Sequence, residues 1–177
     1  DYLPKQLYTK IYVPPTTIGK ENNSIRQNLR QAGKLLKEAG WKVRNGKLTN
    51  IITGEPFKFE ILIVQPAFER MALPFSRNLK RLGIEANVRL VDSAQYQERT
   101  DSRDFDVIIA SWGQSQSPGN EQRDFWSSQA AIAKGSRNFI GISSQVIDEL
   151  IELIISAQTR ESLVQRTRAL DRALLWG

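Results

Sequence analysis

The sequence predicts an α/β fold, a central and mainly parallel sheet flanked by helices. Three observations carry this. Between Phe57 and Ser111, apolar runs of strand length alternate with stretches of helical period, and such alternation implies parallel strands joined by right-handed crossovers. The run Phe105–Ser111 is short, apolar and rich in β-branched residues, then turns polar at once through Gln114, Ser115, Gln116 and Ser117. Two helical stretches with apolar stripes close the chain. Ligands of open α/β sheets sit outside the carboxyl ends of the strands. The stretch Phe105–Trp126 is therefore where a binding edge is expected.

In chain order, Asp1–Asn23 is rich in turn residues, with Pro4, Pro14, Pro15 and Gly19. Pro14–Pro15 disfavours helix, so this part reads as an extended segment laid over a surface. Ser24 and Gln27 form a capping-box pattern. Ile25, Leu29, Ala32, Leu36 and Ala39 then mark one face of a helix that Gly40 stops. Trp41–Glu55 reads as a hairpin turning at Asn45–Gly46, with arms Lys42–Val43 and Leu48–Ile52. Phe57–Gln65 alternates and then loses its polar positions, the pattern of a strand that becomes buried on both faces.

Phe68, Ala72, Phe75, Leu79 and Leu82 give a second helix with Pro74 inside it, so a kink or two shorter helices is expected. Ile84–Val91 is the next strand. Asp92 or Ser93 caps a short helix to about Thr100. Beyond the polar loop, Glu121–Ala133 holds a short helix and Asn138–Ser144 a turn-rich link. Ile147, Leu150, Ile151 and Ile154 stripe the first closing helix. Thr159 caps the second, whose inner face carries Leu163, Thr167, Leu170 and Leu174.

Composition excludes whole classes of chemistry. The 177 residues suffice for one domain with a core. There is no cysteine and no histidine, which removes thiolate chemistry, disulfides, the Ser-His-Asp arrangement and histidine-based zinc sites. No apolar run approaches the roughly 20 residues of a membrane helix. A net charge of +6 admits binding to nucleic acid. The charges are scattered along predicted polar faces, which favours a plain solvated surface. The sequence does not start with Met and stops at Leu174–Leu175–Trp176–Gly177. That reads as an excised piece of a larger protein.

Asp104 and Asp106 flank Phe105 and form a candidate acidic pair, with a solvated strand start as the plainer explanation. Gly113 and Gly119 are too widely spaced for a phosphate loop. Trp112 stands where strand gives way to loop, and is either a core aromatic or a wall of a ligand cleft. Trp126 reads as core, and Trp41 as packing behind the first helix. The uncharged amides and hydroxyls Gln114–Ser117 carry the clearest functional signal. They donate and accept without charge, which suits recognition of peptide or sugar groups better than catalysis. Asn120, Arg123 and Asp124 extend this site or cap the next helix.

The order Leu35-Leu36-Lys37-Glu38-Ala39-Gly40-Trp41, Gly46, Gly54-Glu55-Pro56, Leu82-Gly83-Ile84 and Phe105-Asp106-Val107-Ile108 resembles the large oligopeptide-binding proteins of bacterial ABC importers, solute-binding protein family 5. Arg137-Asn138-Phe139-Ile140-Gly141-Ile142 and Asp148-Glu149-Leu150-Ile151 fit the same pattern. Ser111–Ser115 with Ser117–Trp126 is most similar to the Yej-type branch. The resemblance runs from about Ser24 to the end. It implies a lobe of the type II periplasmic-binding-protein kind, with residues 24–177 as the second lobe and the first lobe absent. It implies a periplasmic protein that closes about a hinge on an oligopeptide and delivers it to an inner-membrane ABC permease, without catalysis, cofactor, metal or nucleic acid.

The ligand-binding residues it points to are Ala110, Trp112, Gly113, Gln114, Ser115, Gln116, Ser117, Arg123 and Asn138. Ala110 and Trp112 are to pair with the peptide main chain through backbone groups. In better-known members an aspartate four residues before a proline pairs with the peptide amino group. Here that position is Gln114, ahead of Pro118. A glutamine has no charge to offer an ammonium, which points to modified, longer or differently oriented peptides. Two other readings stay open, a basic nucleic-acid-binding module and a carboxylate-dependent enzyme domain.

Overall fold

A computed structural model describes residues 25–176. The expected surface segment 1–23 and the capping residue Ser24 lie outside the described residues. The chain divides into two compact units, one of residues 25–99 with 104–110 and one of residues 100–103 with 111–176.

The first unit is built on a sheet. Helix α1 (Ile25–Glu38) ends where Gly40 takes a φ of +84°, a left-handed conformation that glycine adopts without strain. Strands β1 (Trp41–Arg44) and β2 (Lys47–Asn50) pair antiparallel around Asn45–Gly46, both at positive φ. That is the two-residue turn whose twist matches the strands it joins. The expected second arm ran to Ile52, but β2 stops at Asn50. The Asn50 side chain accepts the N–H groups of Ile52 and Thr53 (2.8 and 3.1 Å), an Asx turn that ends the ladder. Trp41, expected behind the first helix, packs its ring 4.7 Å from that of Phe57.

Strand β3 (Lys58–Ile63) is central, with β4 (Glu85–Leu90) on one side and β5 (Val107–Ile108) on the other, all parallel. Ile61, Leu62 and Ile63 are all buried, so β3 is covered on both faces, as its loss of polar positions predicts. A 3₁₀ turn, Pro66–Phe68, leads into α2 (Glu69–Lys80). Of the two expectations at Pro74, a kink or two shorter helices, the second is not realised: α2 is one helix through that residue. Proline removes one backbone bond, while Ala72 and Leu79 stay packed against Ile61, Ile63 and Ala86. Phe75, expected on the inner face, is 52% exposed.

Helix α3 (Ser93–Asp101) is capped by Asp92, whose Oδ1 accepts the Gln95 N–H at 2.9 Å. The expected strand Phe105–Ser111 shrinks to Val107–Ile108 because side chains take the backbone groups that a longer ladder needs. Asp106 Oδ2 accepts the Glu60 N–H (2.9 Å), and Tyr96 donates its hydroxyl to the Ile109 carbonyl (3.4 Å).

The second unit is helical. The single short helix expected in 121–133 is two, α4 (Glu121–Trp126) and α5 (Ser128–Ile132). Ser127 separates them with an extended backbone and caps α5 by accepting the Ala130 N–H. Helices α6 (Gln145–Ile155) and α7 (Arg160–Trp176) follow. Thr159 Oγ1 accepts the Ser162 N–H at 3.2 Å, capping α7 as expected. Ile147, Ile151, Ile154, Leu170 and Ala173 form the core between α6 and α7, with Leu163, Leu174 and Trp126 packed on its margin. Among the described residues no helix is long and apolar enough to cross a membrane.

Candidate functional site

Ala110 closes the sheet unit in sequence, and Ser111 opens the helical one. The chain here is irregular, and the backbone groups of Ala110, Trp112, Gly113 and Gln114 make no hydrogen bond among the described residues. Side chains hold the segment instead. The Ser111 carbonyl accepts from Arg137 Nη2 (2.9 Å), and Trp112 Nε1 donates to the Arg137 carbonyl (3.0 Å). This reciprocal clasp rests on stacked rings. Trp112 lies 5.0 Å from Trp126 and 5.8 Å from Phe139, and the Arg137 guanidinium sits 4.8 Å over the Phe125 ring. Trp112 is thus an anchor of the segment, half-buried among aromatics, while its backbone stays open.

The clasp is itself supported. Arg103, at a φ of +56°, donates to the carbonyls of Asn138 (3.2 Å), Ala130 (2.8 Å) and Ala133 (3.3 Å) and to Ser136 Oγ (2.9 Å). One guanidinium with five N–H donors ties down the loop from which Arg137 projects.

Beyond Trp112 the loop bends over α7. Ser117 N–H donates to Ser115 Oγ (3.0 Å), and Arg160 Nη1 donates to the Gln116 carbonyl (2.5 Å). Between them runs a groove of about 490 Å³. Gln114, Ser115, Gln116 and Gln122 line one side; Leu163, Val164, Thr167, Arg168 and Asp171 of α7 line the other. An apolar floor with a few polar groups at its edge is the usual form of a ligand cleft.

On the loop side of the groove Gln122, only 3% exposed, donates Nε2 to Gln114 Oε1 (2.8 Å) and to Glu121 Oε1 (3.2 Å). Glu121 also accepts the Gly119 N–H at 2.9 Å. Burial pushes the Glu121 carboxyl up, but the hydrogen bonds from Gly119, its own N–H and Gln122 outweigh it and hold it below the ordinary value of 4.5. Glu121 is therefore ionised at neutral pH.

Of the residues that sequence singled out, the groove brings together Gln114, Ser115 and Gln116. Ser117 lies within 3.5 Å of Arg160 Nη1, and Gly113 is exposed beside them in the chain. Arg123 is elsewhere. It donates through Nε and Nη2 to both carboxylate oxygens of Glu152 (2.7 and 2.6 Å) and through Nη1 to Asn120. That pairing holds the Glu152 carboxyl below its usual range and raises Arg123.

Asn138 is fully buried, and its amide is engaged by the carbonyls of Ser127 and Ile142 and by the Ile142 N–H. Both side chains hold structure rather than face the groove. Sequence pattern alone does not single out Gln122, or Arg168 and Asp171 of α7, as groove residues. Gln122 carried a signal, an uncharged amide in the apolar register of Phe125 and Trp126. The Asp104–Asp106 pair is also engaged: Asp104 binds Arg99 Nε (3.0 Å) and Asp106 the Glu60 N–H. Among the described residues no acidic group has a metal-site arrangement.

Comparison with known proteins decides the family. The model of the bacterial extracellular solute-binding proteins, family 5 (middle region), matches residues 4–134. The chain belongs to this family. It is 50% identical to the protein y4wM of Sinorhizobium fredii over 99% of this chain and 26% of that one. It is 44% identical to the probable peptide-binding protein YejA of Agrobacterium fabrum, over 99% of this chain and 28% of the relative. Among solved structures, the oligopeptide-binding protein AppA of Bacillus subtilis, in complex with a nonapeptide, superposes with a TM-score of 0.69 at 26% identity. That match covers 93% of this chain and 31% of AppA. The parallel sheet with flanking helices is the type II periplasmic-binding-protein architecture. The chain spans about a quarter of the length of the curated relatives it matches.

Proposed function

We propose that this chain is the second lobe, residues 24–177, of a periplasmic oligopeptide-binding protein that captures peptides by hinge closure and passes them to an inner-membrane ABC permease, with no catalysis. The observation that carries this reading is the segment Ala110–Ser117. It is clasped by Arg137 and Arg160, yet Ala110, Trp112, Gly113 and Gln114 leave their backbone groups open. Open backbone on a held segment is what an extended peptide pairs with. Main-chain bonds supply affinity there, and side-chain pockets supply tolerance. Ser115, Gln116 and Ser117 add uncharged donors and acceptors beside that backbone. Membership of a solute-binding family and the peptide-binding names of the relatives point the same way. Ligand would favour the closed state through contacts to both lobes.

The two alternatives lose ground on particular residues. Arg89, Arg99, Arg123 and Lys47 are ion-paired, and Arg103 and Arg137 donate to carbonyls. These six side chains are thus engaged within the chain rather than set out for phosphates. Asp104 and Asp106, the candidate acidic pair, are tied to Arg99 and to β3.

The test is an NMR titration of this chain with a mixed peptide pool and with a short DNA duplex, each at two salt concentrations. Shifts confined to Ala110–Ser117, produced by peptide and indifferent to salt, support the peptide reading. Broad shifts on Lys and Arg faces, produced by DNA and lost at high salt, would replace it with the nucleic-acid reading.

A further inference from the structure

We infer that Gln114 presents its amide NH₂ to the ligand, so that the loop side of the groove takes a hydrogen-bond acceptor, the carbonyl of an acylated or internal peptide unit, and not a free ammonium. The inference rests on the peptide-capture reading and names which peptides the site prefers.

A chain of hydrogen-bond polarity starts at a charge. Glu121 is an ionised carboxylate and can only accept. Its Oε1 is held by the Gly119 N–H at 2.9 Å and lies 3.2 Å from the Gln122 amide. Gln122 is nearly excluded from solvent, so it must turn NH₂, not oxygen, toward that carboxylate. An oxygen there would set two acceptors against each other and leave the buried amide NH₂ without the carboxylate. The same Gln122 nitrogen reaches Gln114 at 2.8 Å. Gln114 must therefore offer its own oxygen inward. Its NH₂ has no partner among the described residues, and Gln114 lines the groove. Glu121 thus sets the orientation of Gln122, and Gln122 sets that of Gln114.

The rest of the wall agrees. Arg168 adds donors to the same groove, and Arg160 another set at the Gln116 carbonyl. A cation brought to Gln114 would meet N–H groups. Among the described residues, the carboxylate lining the groove is that of Asp171 on α7, the rival anchor for an ammonium.

The experiment uses the purified full-length protein. It is loaded with a mixed peptide pool and, separately, with the same pool after acetylation of its amino groups, and mass spectrometry reads the retained peptides. Wild type is expected to retain acetylated peptides at least as well as free ones. Gln114→Glu keeps the size but turns an anionic acceptor outward, and should move the ratio about tenfold toward free amines, the range of one hydrogen bond.

A wild type that retains free amines tenfold better, a Gln114→Glu ratio equal to wild type, or a free-amine preference abolished by Asp171→Asn would each overturn the inference while leaving peptide capture in place. A folded wild type that retains neither pool would overturn peptide capture, and this inference with it.

Discussion

An asparagine with no exposure to solvent holds three backbone groups at position 138, the carbonyls of Ser127 and Ile142 and the Ile142 N–H. Each becomes a buried unpaired group if the amide is removed, at about 1 kcal/mol or more apiece. Asn138→Leu is therefore expected to lower unfolding free energy by about 3 kcal/mol, read from urea denaturation, with peptide affinity per folded molecule unchanged. A loss of affinity at full stability would return Asn138 to the ligand-binding set. Trp112 has two separable parts. Trp112→Phe keeps a ring against Trp126 and Phe139 but loses the bond to the Arg137 carbonyl, and should cost about 1 kcal/mol. Trp112→Ala in the full-length protein should weaken peptide binding by more than its loss of stability explains, because the clasp that presents the open backbone is gone. Unfolding with unaltered affinity would make Trp112 a core residue only.

The elements are joined by a few exacting contacts, and Gly83 is the sharpest. It sits at φ +83°, and a Cβ built there would lie 2.7 Å from the Leu48 N. The same glycine accepts the Leu48 N–H through its carbonyl at 2.7 Å, tying β2 to the start of β4. Gly83→Ala therefore meets both backbone strain and a clash with main chain. It is expected to destabilise by more than the roughly 1 kcal/mol of a left-handed alanine alone, measured as a fall in urea midpoint. A neutral result would mean the hairpin can shift away from the sheet. Element identity was largely legible: α1, the hairpin, β3, β4, α3, α6 and α7 follow from period, turn residues and caps. Element ends were not. β5 is two residues long because Asp106 and Tyr96 compete for backbone groups, and such capture between residues distant in sequence leaves no periodic trace.

At the scale of the molecule, the carboxyls whose titration the fold shifts make stability depend on pH in a stated direction. The Glu121 and Glu152 carboxyls are both held below their ordinary value of 4.5, Glu121 by hydrogen bonds that outweigh its burial and Glu152 by Arg123. A carboxyl with a lowered folded value stabilises fully above its unfolded value, and that stabilisation disappears as pH falls through the folded one. Unfolding midpoints should hold level from neutral pH toward 5 and fall below about 4.5. Glu121→Gln should flatten the acid slope. An unchanged slope in that variant would place the acid sensitivity elsewhere. The net charge of +6 is a weak guide to partners for the same reason. A composition counts charges but does not show which are already paired.

By itself the sequence determined the fold class, the family resemblance, the parallel centre, the two closing helices and the polar loop after the last strand. It also excluded thiol and imidazole chemistry. All of these rest on local pattern, on periodicity, on turn residues or on composition, which are properties of neighbours in the chain. The tertiary structure decided what each polar side chain does. It sent Arg123 to Glu152 and buried Asn138 among carbonyls, set Trp112 and Arg137 in mutual support, and brought α7 against Gln114–Gln116. It also gave Gln114 a direction, through a buried amide eight residues further along and a carboxylate seven residues further along. A hydrogen bond has a donor and an acceptor, and which end a glutamine shows to a ligand is decided by the partner behind it. That partner is chosen by packing, so the sequence names the residue and only the folded chain orients it.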